Sequence, residues 1–183
     1  MTKQIRQSLL VTAIVLTAVA ADQALKLYVR THFALGESYP VTSWFWISFV
    51  ENDGMAFGVE WFSKLLLTLF RIVAVVVLGW YMHRLIYINK VRSSFLAMIA
   101  LVTAGALGNI IDCVFYGKLF GYAGWMYGKV VDMLYFPLIT NSAGECIFFR
   151  PVFNLADSCI VVAVIVLLLF FRQDLDDSMK KQE

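Results

Sequence analysis

Carboxylate and amide side chains set inside apolar runs are the residues of this chain whose types and spacing could do chemistry. Asp22 and Lys26 stand four apart, so on a helix they share a face and can pair. Asn109 and Asp112 stand three apart, and Asn154 and Asp157 repeat that N-x-x-D spacing. Each such group is costly in hydrocarbon unless it is paired or lines a cavity. A further carboxylate, Asp132, sits in Lys129-Val130-Val131-Asp132-Met133-Leu134, where apolar neighbours solvate it poorly and disfavour its charged form. Two carboxylates brought together in such a place share a proton. One then acts as base on a water while the other donates to a carbonyl oxygen, which is peptide hydrolysis by an aspartic dyad. Asp132 and Asp157 are the natural pair, a loop delivering the first to the helix end that holds the second.

The elements that must position these groups follow from composition. Of 183 residues, 61% are hydrophobic and 15% are charged. A soluble domain is usually about 45–50% apolar and about 25% charged. That balance excludes a soluble enzyme, a disordered chain and a nucleic-acid binder, and leaves a small integral membrane protein. The net charge of +2 says little about partners. Four spans are expected, at Ser8–Leu27, Phe62–Met82, Phe95–Phe115 and Val152–Phe171. Each approaches the ~20 apolar residues that cross ~30 Å of hydrocarbon. Between them lie two long loops, Val29–Trp61 and Tyr116–Pro151, and one short one. The expected fold is thus an all-α membrane protein of four transmembrane helices, forming a single domain over residues 1–183.

Basic residues orient it. Lys3 and Arg6, then Arg84, Lys90 and Arg92, then Arg172, Lys180 and Lys181 fall on one side of such a bundle, which is therefore cytoplasmic. Both termini are inside and the long loops are outside. With that orientation, the polar groups of spans one, three and four all lie in the outer leaflet, and convergence at one depth points to one site. Lys3, Arg6 and Ala18-Val19-Ala20 also resemble a cleavable secretory signal, but cleavage would leave three spans, so the segment is expected to remain as span one.

The outer loops have structure of their own. Trp44-Phe45-Trp46-Ile47-Ser48-Phe49-Val50-Glu51 is aromatic and β-branched, Asn52-Asp53-Gly54 supplies a turn, and Met55–Val59 resumes an extended pattern. A short β-hairpin or small sheet on the outer surface is expected, with Trp44, Trp46 and Trp61 at the interface. Gly105-Ala106-Leu107-Gly108 reads as small residues for close helix packing. His32 and His83 fall on opposite sides of the membrane, and Cys113, Cys146 and Cys159 form no C-x-x-C pair, so no metal or cofactor is expected. Arg71, in span two, is read as structural. A proton-coupled carrier is the competing reading, but the polar groups cluster in one leaflet and no inverted repeat is visible. A bare scaffold would leave Asp22, Asp112 and Asp157 unexplained.

Five blocks then carry a resemblance. Asp22-Gln23-Ala24-Leu25-Lys26, Asn52-Asp53-Gly54-Met55-Ala56-Phe57, Gly105–Asp112, Val130-Val131-Asp132 and Phe153-Asn154-Leu155-Ala156-Asp157-Ser158 occur in that order. The chain resembles bacterial lipoprotein signal peptidase (signal peptidase II). That resemblance implies an aspartic endopeptidase of the bacterial inner membrane, which removes the signal peptide of prolipoproteins just before a diacylglyceryl-modified cysteine. It implies Asp132 and Asp157 as the catalytic pair. Asn52, Gly54, Asn109, Asp112, Asn154 and Ala156 are implied to shape the site or touch substrate, and Asp22 and Lys26 to hold structure or position. The outer hairpin resembles the family's cradle and the second outer loop its lid. Lipidated prolipoproteins, membrane lipid and globomycin-like cyclic peptides are the implied ligands, with no nucleic acid, no cofactor and a monomeric enzyme. One departure stands out: Cys113 lies where the family usually has Arg, and Arg71 and Lys129 are the candidate stand-ins. The second outer loop also looks longer than usual, with Thr140–Arg150 as an insert.

Overall fold

The computed structural model describes residues 1–53, 64–89, 91–140, 146–148 and 151–180. Helix α1 runs Lys3–His32. It overshoots the apolar stretch at both ends because no glycine or proline interrupts it, and it stops short of Gly36, whose φ of 85° no helix accommodates. Helix α2 is Lys64–Arg84 and continues as a π turn, Leu85–Asn89. Helix α3 is Ser93–Ile111, followed by a π turn, Asp112–Tyr116, and a short α4, Gly117–Leu119. Helix α5 is Leu155–Phe170 and α6 is Arg172–Met179, bent by 87° from it. The helical stretches Lys3–His32, Lys64–Ile88 and Ser93–Leu119 are long and apolar enough to cross a membrane. The fourth, α5, has 16 residues, or ~24 Å at ~1.5 Å per residue. It is shorter than the expected Val152–Phe171 because Val152–Phe153 is claimed by a strand.

That strand belongs to an antiparallel sheet of four, ordered β1-β2-β3-β6. Its members are β1 (Ser38–Pro40), β2 (Trp46–Asn52), β3 (Val130–Tyr135) and β6 (Val152–Phe153). The hairpin joins β1 to β2 and turns at Val41–Phe45, where Val41 and Thr42 donate N–H bonds to the Phe45 carbonyl and the Thr42 hydroxyl accepts from Phe45. The turn expected at Asn52-Asp53-Gly54 runs into residues outside those described. Strand β2 does end at Asn52, but its second neighbour is β3, which arrives from the other long loop. Gly54, Met55–Val59 and Trp61 lie outside the described residues. The second long loop is therefore a structural contributor to the sheet, and it also forms a separate two-stranded ribbon of β4 (Ile139–Thr140) and β5 (Cys146–Phe148), which begins one residue before the expected insert.

Two compact units result. One comprises Met1–Ala20, Leu69–Ile110 and Ala156–Glu183. Its core joins Val11, Met82, Leu85, Phe95, Leu96, Ile99 and Leu167, while Leu16, Phe70, Val76, Leu168 and Leu169 stay exposed on the helices. Exposed aliphatic side chains on long helices suit contact with lipid. Helix α6 is tied into this unit by an Arg92–Asp174 ion pair and by a 2.5 Å hydrogen bond between the Tyr81 and Ser178 hydroxyls. The other unit comprises Ala21–Thr68 and Ile111–Leu155. Its core is Val29, Phe49, Tyr116, Val131 and Met133, which packs the sheet on the end of α1 and the π turn after α3.

Candidate active site

Asp132 lies on β3 with only 2% of its surface exposed, opposite Val50 of β2. Both of its oxygens are occupied. Asn52 donates from Nδ2 to Oδ2 at 3.0 Å, and Asn154 donates from Nδ2 to Oδ1 at 2.7 Å. Two amide donors from different segments leave this carboxylate one orientation. Asn154 is not inside the last helix, as its spacing to Asp157 had implied. It precedes α5, and its side chain turns to the strand because β6 ends immediately before it.

Asp157 occupies the first turn of α5, where the exposed N–H groups of the helix favour a negative charge. Asn109 of α3 donates to Asp157 Oδ1 at 2.7 Å. The helices meet at small residues, as the Gly105-Ala106-Leu107-Gly108 run predicted. A Cβ at Gly105 would strike the Ala156 carbonyl oxygen and come within 2.7 Å of Ile160 Cγ1. Ala156 itself is 1% exposed.

Asp22 and Lys26 pair as their spacing predicted, at 2.8 Å. Lys26 also meets Asp112 at 2.8 Å, so one fully buried ammonium serves two buried carboxylates. Gln23 completes the cluster. Its amide donates to Asp112 Oδ1 at 2.9 Å and to Asp22 Oδ2 at 3.2 Å, and its carbonyl accepts from the Tyr116 hydroxyl at 3.1 Å. Asp112 in turn accepts the Val131 backbone N–H at 3.2 Å. This places Asp112 beside Lys26 and the strand holding Asp132. Sequence reasoning gave Gln23, named only within a motif block, and Tyr116 no role, since nothing in their spacing marks one.

Of the two stand-ins for an arginine at position 113, Lys129 faces Glu51 at 3.5 Å, and Arg71 lies on α2 in the helical unit. Cys113 is buried in the π turn, and its carbonyl accepts from Gly128 N at 2.8 Å. Next to Lys129, the Tyr122 hydroxyl accepts the Lys129 backbone N–H at 2.8 Å. Burial pushes the Tyr122 phenol above its ordinary range, against the pull of that hydrogen bond and of Arg30, so it stays protonated. Among the described residues no group of three or more His, Cys, Asp or Glu side chains is placed to hold a metal ion.

A family model described as signal peptidase (SPase) II matches residues 14–172. A lipoprotein signal peptidase of Porphyromonas gingivalis is 41% identical, the match covering 90% of this chain and 84% of that protein. One from Amoebophilus asiaticus is 34% identical over 93% of this chain and 80% of its own. A solved structure described as a bacterial membrane enzyme, obtained by the in meso method at 2.3 Å resolution, superposes with a TM-score of 0.66 at 26% identity, covering 94% of this chain and 93% of that one. Among the described residues three helices, or four if the bent α5–α6 pair is one span, are long and apolar enough to cross a bilayer, and this is a multi-pass membrane protein.

Proposed function

Because this chain belongs to the signal peptidase II family, we propose that it removes the signal peptide from diacylglyceryl-modified prolipoproteins, cutting before the lipidated cysteine. The proposed chemistry is aspartic, with Asp132 and Asp157 as the dyad. The observation that carries this reading is the pair of amides on Asp132. One of them, Asn154, is joined to Asp157 by only two intervening residues, so the chain itself tethers the second carboxylate to the first one's support.

In the proposed mechanism the lipidated precursor arrives sideways from the outer leaflet, its acyl chains staying in lipid. One ionised aspartate takes a proton from water, and the water oxygen attacks the scissile carbonyl. The protonated partner donates to the developing oxyanion, giving a gem-diol. As the C–N bond breaks, the proton taken from water passes to the leaving amine and a gem-diol hydroxyl returns its proton to the partner, restoring the dyad. Asn52 and Asn154 hold Asp132 through this cycle, and Asn109 holds Asp157. Gly54 and Ala156 are proposed to leave room for substrate backbone, while Asp22, Lys26 and Asp112 fix the strand from behind. No cofactor is required by these steps. The enzyme is further proposed to span the inner membrane four times as a monomer, α5 being the fourth span. Both termini are proposed to lie in the cytoplasm and the dyad near the outer leaflet.

Purified protein in detergent, given a diacylglyceryl-modified prolipoprotein and its unlipidated twin, tests the substrate class. Cleavage of the lipidated form alone, blocked by globomycin, is the expected result. Equal cleavage of both forms would remove lipid recognition from the proposal.

A further inference from the structure

We propose that Glu51, gripped by Arg30 and Lys129, is a positioning residue that clamps the back of the strand pair carrying Asp132. The inference rests on the reading of Asp132 as catalytic. Register supplies the first observation. Val50 lies opposite Asp132, Glu51 opposite Val131 and Asn52 opposite Val130. Side chains alternate along a strand, so Asn52 and Asp132 share one face of the sheet and Glu51 points from the other. The bond from Asn52 to Asp132 at 3.0 Å is thus made on one face, while Glu51 anchors the same strand from behind.

The anchor is built rather than incidental. Arg30, near the end of α1, donates from Nη1 to Glu51 Oε1 at 2.5 Å, and Lys129, just before β3, reaches Oε2 at 3.5 Å. The Arg30 and Glu51 side chains are only 13% and 12% exposed. The Arg30 guanidinium lies 4.1 Å from the Phe120 ring centroid, 5.0 Å from Tyr122 and 5.9 Å from Phe49. Such stacking counts for more when the cation is partly desolvated. The Tyr122 hydroxyl also holds the Lys129 backbone. Helix α1, the loop after α4 and both catalytic-side strands therefore converge on one carboxylate. An isolated surface pair contributes little, but a nearly buried carboxylate shared by two cations sets where β2 sits against β3. No spacing rule marks it, because sheet register brings these groups together.

The test measures kcat and KM on a diacylglyceryl-modified prolipoprotein, normalised to the folded fraction, with a thermal midpoint for each protein. Wild type, Glu51→Gln, Arg30→Gln, their double variant and Arg30→Lys are compared, with Asp174→Asn as an ion-pair control elsewhere in the fold. Each single Gln variant is expected to lose about tenfold in kcat with KM unchanged, the scale of a small misplacement of a reacting group. The double variant is expected to be no slower than the slower single, because both remove one pair. Arg30→Lys is expected to recover most of the rate, and Asp174→Asn to match wild type. Wild-type kcat in Glu51→Gln, multiplicative losses in the double variant, or a loss explained wholly by the folded fraction would overturn the clamp alone. A wild-type protein that cleaves nothing would overturn the proposed function and the clamp with it.

Discussion

A buried ammonium between two buried carboxylates is stable only as a complete set. Lys26 is fully buried and bonds both Asp22 and Asp112, so Lys26→Met leaves two uncompensated charges. Breaking a buried ion pair in this way costs about 3–5 kcal/mol. Denaturant or thermal unfolding in detergent should show that loss, and a smaller one for Asp22→Asn, in which Lys26 keeps Asp112. A stability for Lys26→Met within error of wild type would contradict the account. The Asp22–Lys26 half of this cluster was legible, because four-residue spacing is a property of any helix. The Asp112 half was not. Spacing put Asp112 on one helix face with Asn109 and could not show that Lys26 of another helix reaches it. The backbone also widens into a π turn at Asp112, where the 3.6-residue repeat no longer applies. Asn109 donates to Asp157.

Elements meet where glycine allows backbones to touch. A Cβ at Gly128 would overlap the Asp112 carbonyl oxygen and lie 3.0 Å from that of Cys113. At Gly105 it would overlap the Ala156 carbonyl oxygen. Neither obstacle is a side-chain tip that can swing away, so Gly128→Ala and Gly105→Ala should each destabilise by about 1–3 kcal/mol. Gly79, with nothing within 4 Å, is the contrast. There alanine should stabilise α2 by about 0.5–1 kcal/mol. A thermal series on the three variants checks both signs. The close packing at Gly105 was readable from its run of small residues, whereas Gly128 carries no local signal because its neighbour, the π turn, is distant in sequence. A small sheet was expected here, but the same reason hid which strand lies beside β2. The β2 strand was visible as an aromatic and β-branched run, but its partner β3 comes from a loop whose apolar Val130–Leu134 stretch read only as the poorly solvating surroundings of Asp132.

At the scale of the molecule, composition sufficed to place the chain in a membrane, and the helices bear apolar surfaces of the required length. The last span was harder to bound, since strand β6 takes its first residues and the bend at Phe171 its last. If α5 is a fourth span, the termini lie on one side. Reporters fused at either end should then both be active only in the cytoplasm, and opposite locations would reduce the spans to three. The central claim is that two carboxylates from distant parts of the sequence act as one dyad. Its most direct test is the cleavage rate of a diacylglyceryl-modified prolipoprotein by folded Asp132→Asn, folded Asp157→Asn and their double variant. The account predicts that each single variant loses at least ~10³-fold in kcat and that the double loses little more, as members of one catalytic unit do. Near-normal cleavage by either single variant would contradict it.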